Sequence, residues 1–476
     1  MSVRIYNTAT RSKEEFLPQQ PPHVSMYNCG PTVYDYFHVG NARNFVVVDA
    51  IRRHLEYRGF KVKFVQNFTD VDDKIIKRAH ESGDAWDALA KRFTEAYFRN
   101  ADALAVRRAD VHPCATQHIP QQIQLVQKLI ERGLAYEKGG DVYFRVRAFD
   151  GYGKLSGKDI DDLQEGARVS VGEQKDDALD FALWKTAKPG EPFWESPWGQ
   201  GRPGWHLECS AMSMEHLGET IDIHSGGADL IFPHHENERA QSMGATGKPF
   251  VKYWLHNGFL TIDKQKMSKS LGNFFTIDQV LEHYDPAAVR FYLLSAHYRH
   301  PLDYSEVALE EAKSATARIR EAVVTAEKLL GSSHSTAATL PVQEQVSVAE
   351  TNFDEAMDDD FNTQRALGSI FELVTLLNDA RQRIASDDYA RGTAVSVIAT
   401  IHKLLVRLGL DELMFQTADA GATSDLAENL VQLLIRTRQL AKENKQYKIA
   451  DTVRDELAAL GIRLQDHPTG TIWLKD

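Results

Sequence analysis

An α/β fold, with a parallel β-sheet in the first part of the chain, is what this 476-residue sequence predicts. The main observation is the pattern between residues 23 and 68. HVSMYN alternates weakly like a strand, Asn41–Arg58 has helical periodicity, and KVKFVQNF alternates again. This order indicates parallel strands joined by a helix, with ligands at their carboxyl ends. The length corresponds to about three domains. Helical patterns dominate from Asp285 onward.

The first βαβ unit is followed by further parts of the sheet domain. Residues 74–133 have helical patterns, and 134–203 predict an insertion that begins with a hairpin at Gly139 and Gly140. The sheet domain is expected to resume at 204–284, with a helix, the strand IDIH and a loop that leads into another helix.

The rest of the chain is predicted to be mainly helical. Segments at 285–340 and 341–415 are separated by GSSHSTAATLP (331–341), which has the composition of a linker. A second break at 416–425 precedes the last segment, 424–476, which predicts a helix pair and a small hairpin.

Composition excludes several classes of protein. The chain is 43% hydrophobic and 26% charged, as in soluble globular proteins. No apolar run approaches the roughly 18–20 residues of a membrane span, and the first residues lack a signal-peptide pattern. The three cysteines are scattered, which indicates free thiols and a cytoplasmic location.

The charge distribution argues against nucleic-acid binding over the whole surface, because the net charge is −12. Two local basic clusters remain as candidate nucleic-acid faces, although solvated helix faces are the more common explanation of such runs. The first contains Arg52, Arg53, Arg58, Lys61 and Lys63, and the second contains Arg436, Arg438, Lys442, Lys445 and Lys448.

Two short motifs suit phosphate chemistry. FHVGNARN places His38, Gly40 and Asn41 where a strand is predicted to turn into a helix, and a helix N-terminus attracts anions. Alone, this pattern is more often an ordinary turn. KMSKS, from Lys266 to Ser270, is a more specific string, in which two lysines and two hydroxyls can hold a polyphosphate.

Together these motifs resemble the HIGH and KMSKS signatures of class I aminoacyl-tRNA synthetases, in the expected order. Five longer strings resemble the cysteinyl-tRNA synthetase family within that class: NCGPTVYDYFHVGNAR, NFTDVDDKI, GRPGWHLECSAMS, IHSGGADLIFPHHENERAQS and AMDDDFNT. The resemblance runs from residue 3 to the C-terminus. It implies a Rossmann-like catalytic domain (1–133 and 204–284), a connective insertion (134–203), a stem-contact helical region (285–340), an α-helical bundle (341–415) and a small α+β anticodon-binding domain (424–476).

The resemblance also implies which residues handle ATP and Mg²⁺. His38, Gly40, Asn41 and Lys269 match ATP-binding positions, and His38, Asn41, Lys266 and Lys269 are the expected catalytic residues. Asn41 departs from the signature, whose last residue is histidine. An amide can donate a hydrogen bond to a phosphate oxygen, but it carries no positive charge.

Four residues from three parts of the sequence are candidate metal ligands. His234 and Glu238 are four residues apart and share a helix face, while His235 and Glu236 are expected to point elsewhere. Taken alone, these residues suggest a solvated pair, and Cys29 and Cys209 suggest small buried side chains. The family resemblance instead implies that Cys29, Cys209, His234 and Glu238 bind one zinc ion, and leaves Cys114 a structural role.

A zinc site would explain how cysteine is chosen over serine. The two amino acids differ by one atom, and a 10⁴-fold preference needs about 5.5 kcal/mol, which size exclusion cannot supply for near-isosteres. Zinc binds a thiolate more readily than an alcohol. By resemblance, Thr69, Asp70, Trp205 and His224 line the substrate pocket, and Asp451 and Arg454 read the anticodon.

The expected function is ATP-dependent attachment of L-cysteine to the 3′ end of cysteine tRNA through a cysteinyl-adenylate, by a monomer. Two alternatives remain open. A cysteine ligase of mycothiol biosynthesis, which joins cysteine to an amino sugar, resembles the same core but lacks the anticodon-reading segment that residues 424–476 match. A non-catalytic RNA- or zinc-binding relative is disfavoured by the intact signatures.

Overall fold

A computed structural model describes residues 2–159, 174–262, 265–266, 275–331, 340–415, 423–467 and 470–475. The chain forms two compact units. Unit 1 contains Met1–Leu309 together with Glu355–Gln364, and unit 2 contains Glu310–Asp354 together with Arg365–Asp476. The short segment Glu355–Gln364 therefore packs with the first unit, although the residues on both sides of it belong to the second. The domain boundaries expected from the sequence stay a prediction.

Unit 1 is built around a four-stranded parallel sheet. After the antiparallel pair β1 (Arg4–Asn7) and β2 (Ser12–Glu15) come β3 (His23–Asn28), helix α1 (Val39–Tyr57) and β4 (Lys61–Gln66). Strands β3 and β4 form a sheet with β9 (Ile221–Gly227) and β10 (Val251–Asn257). Its order is β10-β9-β3-β4, and every pair of neighbouring strands is parallel. The predicted βαβ unit and parallel sheet are confirmed.

Three helices follow β4, where the sequence indicated helical patterns over 74–133. They are α2 (Asp73–Ser82), α3 (Trp86–Ala103) and α4 (Ile119–Glu131), with a 3₁₀ turn at Ala115–His118. Gly83 ends α2 with a φ of 72°. The prediction missed the irregular segment between α3 and α4, where backbone bridges join Val65 to Val111 and Phe68 to Cys114. Tertiary pairing overrides the local helical pattern there.

The predicted insertion contains an antiparallel sheet. Strands β5 (Ala135–Lys138), β6 (Asp141–Phe144), β7 (Phe181–Thr186) and β8 (Gly201–Pro203) pair in sequence order. The predicted hairpin is confirmed, because Gly139 and Gly140 join β5 to β6 with φ of 67° and 88°. A short 3₁₀ turn, Val146–Ala148, follows β6.

The second half of the parallel sheet is flanked by helices α5 (Trp205–Leu217) and α6 (Glu236–Thr246), with helical turns at Ala228–Leu230 and Ile231–His235. A small sheet of order β12-β11-β13 follows, from β11 (Leu260–Ile262), β12 (Gln265–Lys266) and β13 (Leu302–Tyr304). Helices α7 (Ile277–Leu281) and α8 (Pro286–Leu294) lie between β12 and β13.

Unit 2 is mostly helical, as the sequence predicted. Its helices are α9 (Glu306–Leu330), α10 (Leu340–Asp358), α11 (Thr363–Arg381), α12 (Asp388–Leu408), α13 (Asp411–Phe415), α14 (Thr423–Glu443) and α15 (Tyr447–Ala459). The antiparallel pair β14 (Ile462–His467) and β15 (Gly470–Lys475) completes the predicted helix pair and hairpin. Most of the two predicted breaks lies outside the described residues. Among the described helices, none has both the length and the apolar character needed to cross a bilayer.

A histidine in unit 2 makes its stability depend on pH. His402 Nδ1 lies 2.6 Å from Asp411 and Nε2 lies 3.8 Å from Glu327. The hydrogen bond to Asp411 and the nearby carboxylate of Glu327 raise the pKa of His402 from 6.5 to about 9. Because the folded pKa is raised, the stabilisation is complete below 6.5 and is lost as pH rises through 9.

We expect His402→Gln to destabilise the protein by about 1 kcal/mol near pH 6, after allowing for solvent screening of a half-buried group. The difference from the wild type should shrink at about pH 10, where both side chains are neutral. Urea unfolding of the wild type and of His402→Gln at the two pH values measures this difference in the free energy of unfolding. A difference that does not change with pH would contradict the assignment.

Candidate active site and metal centre

The four predicted metal ligands converge at the carboxyl ends of the parallel strands. Cys29 follows β3, Cys209 lies in the second turn of α5, and His234 and Glu238 flank the start of α6, after β9. All four side chains are buried, and their ligand atoms lie within 4.8 Å of one another. The parallel sheet thus brings together residues separated by as many as 209 positions.

Distances within this group are short. The thiol of Cys29 lies 3.9 Å from the Cys209 sulfur and 3.6 Å from Glu238 Oε1, and His234 Nε2 lies 3.0 Å from the same oxygen. Two thiols, one imidazole and one carboxylate are the usual ligand types of zinc. The residues therefore fit a bound zinc ion.

The four groups differ in proton affinity, and burial raises the pKa of the Cys29 thiol well above its usual value. A hydrogen bond from Cys29 lowers the pKa of the Cys209 thiol to about 6, although burial raises it. Burial also raises the pKa of Glu238, but His224 and His234 lower it to about 2. Burial lowers the pKa of His234, whereas Glu238 and Cys209 raise it to about 10. The buried anionic groups thus hold a proton on His234, where a metal cation would supply the positive charge instead.

A second set of donors overlaps the first. Cys29 and Glu238 also lie within ligand distance of His224 and His235, and His235 Nε2 is 3.3 Å from the Cys29 sulfur. The expectation that His235 points away is therefore wrong. Residues three apart share a helix face as well as residues four apart, so His235 also approaches Glu238, at 3.8 Å.

The first set is the better candidate for the metal. His224 and His235 are enclosed by other rings, His224 by Tyr27 and Trp254 and His235 by Trp254 and His256. By contrast, the His234 ring packs on Trp205 with centroids 4.3 Å apart, and Trp205 lines an open cleft. Two thiols also favour zinc more strongly than one.

Neighbouring side chains orient the candidate ligands. His206 Nδ1 lies 2.9 Å from His234 Nδ1, which directs the other ring nitrogen of His234 to Glu238. Burial lowers the pKa of His206 well below its usual value, so this ring is neutral. Glu236, whose role the sequence left open, accepts hydrogen bonds from the backbone and hydroxyl of Ser156 at 2.8 and 3.0 Å. No motif distinguished His206 in the sequence.

A cleft of about 310 Å³ opens beside the candidate metal ligands. Its wall contains Cys29 and Trp205 together with His38, Gly40 and Asn41 at the start of α1, so it joins the candidate metal group to the phosphate motif. The remaining lining residues come from the loop after β3, from α1 and α2, and from the ends of β9 and β10 with the segments that follow them: Gly30, Pro31, Thr32, Tyr34, Asp35, Tyr36, Phe37, Asn44, Phe45, Lys74, Gly227, Asp229, Leu230, Asn257, Gly258, Phe259 and Leu260.

Gly30 permits the close approach that positions Cys29. A Cβ atom at Gly30 would lie 1.6 Å from the carbonyl oxygen of Asn67, so no other residue fits. Its amide donates to the side chain of Asn67 at 2.9 Å. The loop after β3 is thereby held against the end of β4.

His38 and Asn41 form a capping box at the start of α1. Asn41 N–H donates to His38 Nδ1 at 3.2 Å, and His38 N–H donates to Asn41 Oδ1 at 3.4 Å. The asparagine that departs from the signature therefore stabilises the helix end. The helix N-terminus faces the cleft, as anion binding requires.

The lysine signature is described only in part. Lys266 lies in β12, where its backbone pairs with Thr261, and Lys269 lies outside the described residues. Both flanks of the undescribed stretch reach the cleft. Leu260 lines it on one side, and on the other side Thr276 forms a backbone bridge with His38.

The predicted substrate residues differ in position. His224 is fully buried between Tyr27 and Trp254, and Trp205 lines the cleft. Thr69 is buried, and its backbone bonds to Pro31 O and Val33 N. Asp70 accepts hydrogen bonds from the amide and hydroxyl of Thr116, at 3.0 and 2.6 Å, and does not line the described cleft.

Lys74 is a cleft residue that the sequence did not single out. Its ammonium lies 5.5 Å from the Tyr34 ring and 6.0 Å from the Trp205 ring. It belongs to the first turn of α2, which Asp72 caps through the amide of Lys74.

The candidate anticodon residues lie in unit 2. Asp451 and Arg454 share a face of α15, with 3.7 Å between carboxylate and guanidinium, and both are exposed. Two cations of the adjacent basic cluster, Arg438 and Lys442, are paired with Asp466 at 2.8 Å each. The cluster thus presents less charge to solvent than the sequence indicated.

The N-terminal basic cluster is also largely neutralised. Arg52 pairs with Glu56 and Asp110, Arg53 pairs with Asp49, and Arg58 pairs with Asp358. The corresponding prediction of a basic face is not supported, because its arginines pair with carboxylates one helical turn away (Asp49 and Glu56) and with others distant in sequence (Asp110 and Asp358).

Comparison with known families defines the class first. Residues 15–314 match the family model of tRNA synthetases class I (C) catalytic domain, and residues 352–411 match the DALR domain. The solved structure of Mycobacterium tuberculosis methionyl-tRNA synthetase in complex with methionyl-adenylate has a TM-score of 0.61 at 16% identity, over 83% of this chain and 92% of that chain. The fold is that of a class I synthetase.

Curated relatives identify the particular family. The cysteine–tRNA ligases of Carboxydothermus hydrogenoformans and Syntrophotalea carbinolica are each 50% identical to this chain, over 471 and 484 aligned residues and 99% of both chains. The chain belongs to the cysteine–tRNA ligase family.

Proposed function

We propose that this protein attaches L-cysteine to the 3′ end of cysteine tRNA through a cysteinyl-adenylate, and that a bound zinc ion selects the substrate thiol. One observation carries the proposal. The buried group of Cys29, Cys209, His234 and Glu238 adjoins, through Cys29 and Trp205, the same cleft that His38 and Asn41 line. A thiol-recognising group and a phosphate-binding helix end thus share one substrate space.

The proposed reaction has two steps. The cysteine carboxylate attacks the α-phosphorus of ATP bound with Mg²⁺, the bond to the bridging oxygen breaks, and pyrophosphate leaves. The terminal ribose hydroxyl of the tRNA then attacks the carbonyl carbon of the adenylate, loses its proton, and AMP leaves. Catalysis depends mainly on positioning and on charge stabilisation by His38, the amides of α1, Lys266 and Lys269. Gly40 and Asn41 complete the proposed ATP site.

We assign selection of the amino acid to the part of the cleft that Cys29 and Trp205 line. Zinc, when bound, supplies a Lewis-acidic position that favours sulfur over oxygen. His206 orients His234, and His224 donates to Glu238, so the ligand side chains are held in place. Trp205 and Thr69 flank the substrate position, and Asp70 supports the site by fixing the segment at Thr116.

The proposal extends to partners and location. Cysteine tRNA is the macromolecular partner, with Asp451 and Arg454 as anticodon contacts on the exposed face of α15. The protein acts as a monomer in the cytoplasm. Full-length similarity to cysteine–tRNA ligases, which includes the C-terminal segment, supports tRNA over an amino sugar as acceptor.

Two assays test the function. ATP–pyrophosphate exchange should depend on cysteine, and the enzyme should then charge purified cysteine tRNA with labelled cysteine. Exchange without tRNA charging, but with transfer to an amino sugar, would favour the sugar ligase. An absence of cysteine-dependent exchange in a folded, metal-loaded protein would reject both enzymes.

A further inference from the structure

A fully buried arginine lies directly behind the cleft wall. Arg43 belongs to the second turn of α1 and is completely inaccessible to solvent. Its guanidinium donates only to backbone carbonyls: Nη1 to Gly258 and Phe259 at 3.0 and 3.1 Å, and Nη2 to His297 and His300 at 3.3 and 2.6 Å. No carboxylate pairs with it in the described part of the chain.

A buried cation without a counterion is unfavourable unless it is well hydrogen-bonded. Core packing alone does not require a cation here, although an apolar side chain would leave the four carbonyls without this donor. A guanidinium instead offers a rigid fork of donors that can join several carbonyls at fixed separations. The contacts of Arg43 therefore indicate a geometric role.

Arg43 joins three segments, two of which line the cleft. One is α1, whose first residues His38 to Asn41 form the capping box. Another is the Gly258–Leu260 segment, which lines the cleft and leads through β11 towards the lysine signature. The last is the turn at 297–300, whose residue Tyr298 accepts the Gly258 amide at 2.8 Å.

The turn at 297–300 is itself firmly held. Asp360 accepts hydrogen bonds from the Tyr298 hydroxyl at 2.8 Å and from Arg299 at 2.7 Å. Gly258 approaches the turn so closely that a Cβ atom there would lie 2.5 Å from the His300 carbonyl oxygen. Arg43 thus connects α1 to an anchored support.

We propose that Arg43 is a positioning residue for adenylate formation, which sets the distance between the phosphate-binding end of α1 and the segment that leads into the lysine signature. The inference rests on the proposed function. A lysine at this position keeps the charge but cannot join four carbonyls. Misplacement of catalytic groups by about 1 Å can lower a rate about 100-fold.

The test compares Arg43→Lys with a matched variant, Arg290→Lys. Arg290 is equally buried, but it bonds to Asp49 and to the Leu104 carbonyl, away from Gly258. We expect Arg43→Lys to lower kcat for cysteine-dependent pyrophosphate exchange about 100-fold, while the KM for cysteine stays within about twofold. Arg290→Lys should retain the wild-type kcat per folded molecule, whatever its loss of thermal stability.

Several outcomes would overturn the inference. One is a wild-type kcat in Arg43→Lys. Another is an equal loss of kcat in Arg43→Lys and Arg290→Lys that follows their loss of thermal stability. If Arg43→Lys does not fold, Gly258→Ala disturbs the same contact from the other side and should show the same loss of kcat. A wild-type kcat in that variant also counts against the role. Wild-type protein without exchange activity would instead reject the proposed function itself.

Discussion

Cys209→Ala is expected to remove most of the preference for cysteine over serine. The substitution deletes one of two thiols in the buried metal group, and the remaining ligands hold zinc less tightly. Without the metal, the site distinguishes sulfur from oxygen only by size and polarity, which gives about 10²-fold for near-isosteres. We expect the ratio of kcat/KM for cysteine to that for serine to fall by at least about 100-fold, mainly through loss of cysteine activation.

The measurement combines pyrophosphate exchange with both amino acids and a determination of zinc by elemental analysis. Cys114→Ala is the matched control, because Cys114 is the third cysteine and lies outside the metal group. Removal of zinc by a chelator should reproduce the Cys209 effect in the wild type. Unchanged selectivity in Cys209→Ala would show that the metal does not choose the substrate.

His38→Ala is expected to lower kcat for adenylate formation about 10²- to 10³-fold, the usual effect of removing one donor that stabilises transition-state charge. His38 lines the cleft at the N-terminus of α1, where its Nδ1 accepts the Asn41 amide. Cysteine binding should change little, because all four candidate metal ligands are retained.

A second variant separates catalysis from helix capping. Asparagine is a good N-cap residue, so His38→Asn should preserve the helix start while it removes the imidazole. We expect the same loss of kcat in His38→Asn but a smaller loss of thermal stability than in His38→Ala, by about 1 kcal/mol. A wild-type rate in His38→Asn would show that the imidazole itself is not required for adenylate formation.

Elements with strong local patterns could be predicted from the sequence. The βαβ unit, the hairpin at Gly139 and Gly140, and the last helix pair with its hairpin follow from periodicity and turn residues, and the structure confirms them. The segment between α3 and α4 could not be predicted. Its backbone pairs with β4 and the loop after it, and local propensity carries no information about such long-range pairs.

The candidate site also has features that the sequence predicts and features that only the folded chain shows. The motifs indicated which types of side chain the site needs. The parallel sheet brings Cys29, Cys209, His234 and Glu238 together, as a metal site requires. Helical spacing could not separate His234 from His235, since both spacings reach Glu238. Nor could it show His206 or Lys74, which belong to the site through contacts made only in the folded chain.

By itself, the sequence determined the order of the elements, the family and the phosphate and metal-binding residue types, because these depend on local pattern and on motifs. Only the tertiary structure decided which charged side chains are paired with one another and which remain available to bind a partner. Arg52 and Arg58, which formed part of an apparent basic face, are paired with Asp110 and Asp358, which are distant in sequence. It also placed Arg43 behind the cleft, bonded to carbonyls more than 200 residues away. The physical reason is that hydrogen bonds and ion pairs depend on distance in space, which the crossovers of a parallel sheet set independently of separation in sequence.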